Sequence, residues 1–217
     1  MKNKLLITTA LVAAFTATNA YAEDLTINHG DTHQIKLSET EGQRENFDHL
    51  TMTGGSLIGT ASKGKEALLE VDSADISGGS VTLTGYSPED PMDIENYKMS
   101  GIAAENDINI SGKDTHITLN TGGLIGTENG NLNIFDGNIE INNGSSLGVM
   151  GGTQTNISGG KINAFTGAIG GNNITISGGD VNLKDESFIS GMETLKILGG
   201  TIDGEQNTQI VSNKLDI

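Results

Sequence analysis

From residue 50 onward, one short phrase of apolar and polar residues recurs along the chain. It reads apolar–polar–apolar, then Ser or another small polar residue, then one or two glycines. Seven copies occur, at residues 50–55, 74–79, 108–112, 132–137 (one residue longer before its glycine), 155–160, 174–179 and 195–200. Most copies begin about 20–25 residues after the previous one, a repeat length typical of a solenoid. The repeat therefore predicts a stack of equivalent units.

Within each unit the apolar residues alternate with polar ones, which indicates short half-buried strands. A second alternating run follows the glycines, as at residues 81–83 and 139–141, and a third short run follows later, as at residues 124–126. Three short strands joined by Gly-, Asn- and Asp-rich corners predict a coil with three faces. A β-sandwich also has short strands, but it gives no reason for one repeated phrase. We therefore predict an all-β fold, a single right-handed parallel β-helix (β-solenoid) of about seven or eight coils with three short strands per coil.

Stacked coils place equivalent residues above one another, about 4.8 Å apart, so that like residues form ladders. The inward ladder of the first strand is predicted to be Met52, Ile76, Ile110, Ile134, Ile157, Ile176 and Ile197. The outward ladder of the same strand is predicted to be Thr51, Asp75, Asn109, Asn133, Asn156, Thr175 and Lys196. The outward ladder of the second strand is predicted to be Thr82, Thr118, Glu140, Asn163, Asn182 and Asp203. The glycines suit sharp corners, where the backbone needs a positive φ.

The chain divides into three segments. Residues 1–22 combine two lysines, a short apolar run and the cleavage site Ala20-Tyr21-Ala22, so we expect a secretory signal peptide, with an apolar run too short to span a bilayer. Residues 23–49 are predicted to be an N-terminal cap or a first irregular coil. Residues 50–217 are the predicted β-helix, with an acidic loop insertion at 85–99 that lengthens one unit. Insertions in solenoids often lie on the binding face.

The tail at residues 213–217 alternates polar and apolar residues and therefore predicts one more strand. An uncapped last coil exposes backbone donors and acceptors together with an apolar cross-section. We expect one of three consequences, namely end-to-end self-association through this coil, docking on a partner, or continuation in a longer passenger.

Composition excludes several classes of site. The chain has no Cys, so disulfides, cysteine-ligated metals and thiol catalysis are impossible. It has 12 basic against 28 acidic residues, a formal net charge of −16, which argues against nucleic-acid binding because that needs a basic surface. A hydrophobic fraction of 35% is too low for a membrane-spanning protein.

Candidate sites are few. β-Helix enzymes that cleave acidic polysaccharides need a base beside calcium-binding carboxylates, or closely paired acids. The only arginine, Arg44, lies outside the repeat, and neither outward ladder stacks two carboxylates, so we expect no catalytic residues. The acidic loop holds four candidate calcium ligands that are more simply explained as solvated charges, namely Glu89, Asp90, Asp93 and Glu95. The candidate binding-surface residues are Tyr86, Tyr97, Asn109, Asn133, Asn156 and Thr175. We expect no cofactor.

The recurring phrase I-S-G-G-x-I/V-x-L, spread over residues 50–213, resembles the β-helical passenger regions of bacterial autotransporters and related surface adhesins, within the pectin-lyase-like class. The resemblance implies a bacterial surface protein with an adhesive or structural role. Autotransporters carry a C-terminal translocator barrel built from many strands of about 10 alternating residues. The sequence after residue 200 has no such series, so we expect this chain to lack the barrel.

These observations together predict an exported, non-enzymatic structural or adhesive surface module that presents an elongated polar β-helix face. We expect it outside the cell or at the cell surface, with the periplasm as another location. Two alternatives remain open, a polysaccharide-acting β-helix enzyme (lyase or hydrolase) and a calcium-stabilised glycan-binding module. The expected partner is a host or cell-surface glycan or protein, and neither nucleic acid nor membrane insertion is expected.

Overall fold

The structure, a computed structural model, describes residues 23–38, 44–87, 97–142 and 148–217. These residues form 17 β-strands, and none of them lies in a helix long and apolar enough to cross a membrane. The strands are β1 (Leu25–Ile27), β2 (Thr32–Gln34), β3 (Glu45–Thr60), β4 (Ala67–Thr84), β5 (Ser100–Ala104), β6 (Ile108–Ile110), β7 (Thr115–Asn120), β8 (Gly123–Thr127), β9 (Asn131–Ile134), β10 (Asn138–Asn142), β11 (Val149–Ile157), β12 (Lys161–Phe165), β13 (Ala168–Ile176), β14 (Asp180–Lys184), β15 (Phe188–Ile197), β16 (Thr201–Gly204) and β17 (Gln209–Asp216).

The strands wind through three parallel sheets, and the longest of them turn corners and so belong to two or three sheets. Sheet A stacks residues 25–27, 50–52, 74–76, 108–110, 131–134, 154–157, 173–176, 194–197 and 214–216. Sheet B stacks residues 32–34, 56–60, 79–84, 115–120, 138–142, 161–165, 180–184 and 201–204. Sheet C stacks residues 45–47, 67–71, 100–104, 123–127, 149–151, 168–171, 188–191 and 209–212.

The chain passes through sheets A, B and C in turn eight times and then re-enters sheet A. The predicted fold class is confirmed, since the described residues form an all-β parallel β-solenoid of about eight turns with three strands per turn. Each turn is called a coil below and is numbered from its strand in sheet A.

The core is the inside of the three-sided tube, and the predicted inward ladder lines one of its walls. Ile76, Ile110, Ile134 and Ile157 lie directly above one another in sheet A and are fully buried, whereas Ile197 in coil 8 is only partly buried. Sheet B supplies a second wall that contains Val81, Ile117, Ile139, Ile162 and Val181. Alternation therefore sets which residues point inward, and β-branched side chains pack well on such a pleated wall.

Glycines make the corner between sheets A and B. Gly79 has a φ of +84°, and a Cβ on this residue would collide with the backbone oxygen of Gly54 on the preceding coil. Glycine is therefore needed at this corner both for its positive φ and for the close approach of two backbones.

The first coil has a polar end. Residues 25–34 pair in register with coil 2, and Glu45 takes the inward position that Leu69 holds there. His33 occupies another inward position and meets Glu45, with 3.2 Å between Nε2 and Oε2, and the backbone N–H of Lys36 donates to the same carboxylate at 3.2 Å. This end of the core thus lies beneath paired polar side chains.

The last coil has an apolar end. Residues 214–216 pair with residues 194–196 in sheet A, so the prediction of a further strand in the tail is confirmed. Ile210 and Leu215 stand in register with the buried Ile189 and Leu195, yet they are 45% and 51% exposed. No inward charged side chain covers this end within residues 194–217.

Two predicted features lie wholly or partly outside the described residues. The predicted signal peptide at 1–22 is one, and the centre of the insertion, residues 88–96, is the other. The two ends of the insertion are joined by a pair of backbone hydrogen bonds between Tyr86 and Lys98, 2.7 and 3.0 Å long.

Candidate functional site

The outward ladder of sheet A contains a chain of side-chain hydrogen bonds. The Nδ2 of Asn109 donates to Oδ1 of Asp75 at 2.9 Å, that of Asn133 to Oδ1 of Asn109 at 2.9 Å, and that of Asn156 to Oδ1 of Asn133 at 2.8 Å. The three asparagines therefore all point their amides the same way along the solenoid, toward a carboxylate. Hydrogen bonds that run in one direction polarise and strengthen one another.

This ladder leaves a regular set of hydrogen-bonding groups free to meet another molecule. A primary amide has two N–H donors and an oxygen with two lone pairs. The ladder uses one donor of Asn133 and one acceptor site of its oxygen, and the same holds for Asn109. The side chains are half-buried, so the remaining groups are held in fixed orientations at the surface.

A second polar column, which is not among the predicted outward ladders, runs beside the first. It lies two residues earlier on each strand and contains Asn131, Gln154 and Asn173, followed by Thr194 in coil 8. Gln154 links the two columns, because its Nε2 donates to Oγ1 of Thr175 at 3.0 Å. The alternation of period two that located the first column also marks these positions. We call the outward residues of sheet A in coils 4 to 7 the amide face: Asn109, Asn131, Asn133, Gln154, Asn156, Asn173 and Thr175.

Charged side chains bound the amide face at both ends. On one side Asp75 meets His49, with 3.2 Å between Oδ2 and Nε2. Asp107 lies beside Asn131 on the preceding coil, where its Oδ1 accepts from the backbone N–H of Asn131 at 2.7 Å. On the other side the columns continue into Lys196, and Glu193 lies 3.5 Å from the Nδ2 of Asn173. The seven residues of the face itself carry no formal charge, in a chain whose formal net charge is −16.

An exposed aromatic side chain lies beside this face. Phe135 follows Asn133 by two residues and occupies the corner position that Ser111 and Ser158 hold on the neighbouring coils, with the same backbone hydrogen bond to the preceding coil. Its side chain is 53% exposed. The signal for Phe135 is present in the sequence, since it replaces the small polar residue of the repeated phrase. Phe135 is nevertheless not among the predicted binding-surface residues.

The structure does not bring all the candidate binding residues together. Asn109, Asn133, Asn156 and Thr175 share the amide face. Tyr86 and Tyr97 are half-buried near the corner between sheets B and C, where β4 ends and β5 is about to begin. The candidate calcium ligands Glu89, Asp90, Asp93 and Glu95 lie outside the described residues. Within residues 23–38, 44–87, 97–142 and 148–217, no group of three or more His, Cys, Asp or Glu side chains forms a metal site.

A similar but shorter amide pair lies on sheet B. The outward positions there are in the predicted register: Thr82, Thr118, Glu140, Asn163, Asn182 and Asp203. The Nδ2 of Asn182 donates to Oδ1 of Asn163 at 3.0 Å. Two asparagines separate Glu140 from Asp203, so this ladder does not place two carboxylates on neighbouring coils.

The one arginine lies in a buried ion pair. Arg44 binds the carboxylate of Glu70, and the two side chains are only 8% and 5% exposed. Burial raises the pKa of the Glu70 carboxyl above its usual value, Arg44 opposes this rise, and the negative charges of Glu66 and Glu128 add to it. Little of either side chain is open to a substrate, so the geometry favours a structural role for the pair.

Comparisons of the chain with protein-family models, with curated proteins and with solved structures gave no match. The β-solenoid class therefore stands on the strand pairing itself.

Proposed function

We propose that the protein is an exported, non-enzymatic surface module of the kind found in bacterial autotransporter passengers and adhesins, and that it adheres through the amide face. The observation that carries this proposal is the pair of uncharged amide and hydroxyl columns on sheet A. The solenoid holds these groups on a stack of paired strands, and such preorganisation lowers the entropy lost on binding.

The surroundings of two acidic residues, Glu70 and Asp75, support adhesion over polysaccharide cleavage. An acid–base pair must reach the atoms it protonates or deprotonates. Glu70 is buried against Arg44, and Asp75 is engaged by Asn109 and His49 at the edge of the amide face. These carboxylates already have structural partners, which is the behaviour of a scaffold.

Adhesion is tested with beads that carry the purified chain. We expect them to attach to epithelial cell layers more than beads coated with serum albumin do. The triple variant Asn109→Thr, Asn133→Thr, Asn156→Thr removes the ladder amides but keeps residues with a high strand propensity. It should attach at the albumin level, whereas the control Asn163→Thr, Asn182→Thr on sheet B should attach like the wild type. Attachment no better than albumin for the wild-type chain would refute the proposal.

Export is a separate part of the proposal, and residues 1–22 support it. Expression of the full chain in a bacterial host should give a protein outside the cytoplasm whose N-terminus, by mass spectrometry, is Glu23. Replacing Ala22 with Asp should block cleavage, because the site requires small residues. A wild-type protein that stays in the cytoplasm and keeps Met1 would contradict export. It would not contradict the proposed adhesion.

A further inference from the structure

We propose that the ligand of the amide face is a neutral polysaccharide and that Phe135 is the platform on which one of its sugar rings stacks. This inference rests on the proposed adhesive function and adds the chemical class of the partner. It combines three features of the surface, namely its hydrogen-bonding groups, its exposed aromatic ring and its lack of charge.

The hydrogen-bonding groups match hydroxyls. Each ladder amide keeps both a donor and an acceptor for a ligand, and a sugar hydroxyl also both donates and accepts. An anion would need donors alone, and a metal cation would need acceptors alone. The alternation of free donors and acceptors along Asn109, Asn133 and Asn156 therefore fits a polyol better than either kind of ion.

The exposed ring supplies an apolar contact. Sugar rings have faces of C–H groups, and an aromatic side chain offers a flat apolar surface with a partial negative charge that attracts them. Phe135 is adjacent to Asn133, so a ring stacked on it would have its hydroxyls beside the amide columns. The other three coils of the amide face place Ser111, Ser158 and Ser177 at the equivalent corner, and these residues cannot stack.

The charge distribution selects a neutral ligand. The amide face has no charged member, and the whole chain has a formal net charge of −16, which repels polyanions such as pectate. From Asn109 to Thr175 the face covers three coil intervals, about 14 Å at about 4.8 Å each. That length suits several linked sugars lying along the axis of the solenoid, with Phe135 beside the second of the four coils.

The test measures binding of the purified full chain to insoluble cellulose, chitin and mannan, with polygalacturonate as the acidic arm. We expect retention on at least one neutral polymer and none on polygalacturonate. Phe135→Ala should weaken that binding at least tenfold, and Phe135→Tyr should restore it. The matched control is Leu198→Ala, because Leu198 is 66% exposed at the same corner position in coil 8, beside the charged Lys196. Binding by this control should equal that of the wild type.

Several outcomes would overturn the inference. These are retention on none of the three neutral polymers, retention on polygalacturonate only, or equal losses in Phe135→Ala and Leu198→Ala, which would indicate nonspecific apolar contact. Because Phe135 is exposed, its replacement should leave the thermal unfolding curve unchanged, which separates lost binding from lost folding. If the beads still attach to cells while the chain binds no neutral polymer, this inference is wrong and the proposed adhesive function is retained.

Discussion

Ile157 and Asn156 are neighbours on β11, and they face opposite sides of the sheet A wall. Ile157 is 1% exposed in the core, whereas Asn156 is half-exposed and donates to Asn133. We predict that Ile157→Asp lowers the free energy of unfolding by more than about 3 kcal/mol, because an unpaired carboxylate enters an apolar core. Asn156→Asp should lower the free energy of unfolding by about 1 kcal/mol, which is the usual contribution of one hydrogen bond. Urea unfolding followed by circular dichroism measures both.

Equal losses for the two variants would mean that the strand is displaced by one residue, because a one-residue slip exchanges the two faces. Ile134→Asp, on the preceding coil, serves as the control. It should behave like Ile157→Asp, since the two isoleucines are direct partners in the ladder.

Glu70 gives the protein a pH dependence whose sign follows from its environment. Its pKa is raised in the folded state, mainly by burial, from a usual value of 4.5. Well below pH 4.5 the carboxyl is protonated in both the folded and the unfolded state, and its ionisation then has no effect on the free energy of unfolding. As the pH rises through the folded pKa, the unfolded state binds fewer protons than the folded one, so the carboxyl reduces stability. Glu70→Gln removes this loss, and the melting temperature of the variant minus that of the wild type should increase from pH 4 to pH 8.

The control for this series is Asn163→Thr on sheet B, a half-buried position at which no titratable group is removed. Its difference from the wild type should stay flat with pH. A difference for Glu70→Gln that falls as the pH rises would show that attraction to Arg44 outweighs burial and that the folded pKa is in fact lowered.

At the residue scale, the sequence predicts well whether a side chain points into the core or outward. It predicts poorly which distant residue that side chain contacts. Alternation correctly places Ile157 inside and Asn156 outside, because burial depends only on the period of the strand. The Arg44–Glu70 ion pair joins residues 26 positions apart on different coils, and no local pattern encodes such a contact. The exposure of Phe135 also depends on which neighbours its corner has in space.

At the scale of the element, the corner glycines differ in what surrounds them. Gly79 and Gly64 both have positive φ, +84° and +73°, so alanine is strained at either. A Cβ on Gly79 would also meet the Gly54 carbonyl, whereas nothing lies within 4 Å of a Cβ on Gly64. We predict that Gly64→Ala costs about 1–2 kcal/mol, the usual penalty for left-handed backbone, and that Gly79→Ala costs clearly more. Thermal unfolding of the two variants gives the comparison, and similar costs would show that the coils can move apart at this corner.

The strands themselves were predictable where the repeated phrase is intact. The first coil was not recognised as a copy because residues 28–30 read Asn-His-Gly where three of the seven copies have Ser-Gly-Gly, yet Ile27 pairs directly with Met52. Sheet C gave a weaker signal. The third run of the unit reads Phe188-Ile189-Ser190 in one coil and Ile210-Val211-Ser212 in the next. The first residue of the second run, Ile210, pairs with the middle residue of the first run, Ile189. Short runs with glycine or serine at alternate positions define the register poorly, because few apolar side chains mark the buried face.

At the scale of the whole molecule, the two ends of the solenoid differ in chemistry. Coil 1 turns His33 and Glu45 inward, and inward-pointing charges are a known means of discouraging edge pairing. Coil 8 and the strand at residues 214–216 that follows it turn Ile210 and Leu215 inward, and both are about half-exposed. The charges of this last strand would also match those of a second copy of itself. In an antiparallel arrangement centred on Leu215, Lys214 of each copy stands opposite Asp216 of the other, and opposite charges stabilise such pairs.

We therefore predict that the polypeptide of residues 23–217 self-associates through coil 8. Light scattering over a concentration series should show an average mass that rises from one chain toward two. Leu215→Lys should keep the polypeptide monomeric, because each copy would bring a charge to the apolar centre of the contact. Leu198→Lys is the control, since Leu198 is more exposed but lies at the outer corner, and it should associate like the parent. A parent polypeptide that stays monomeric at the highest concentration, or one that associates equally well with Leu215→Lys, would show that the apolar end of coil 8 does not form the contact.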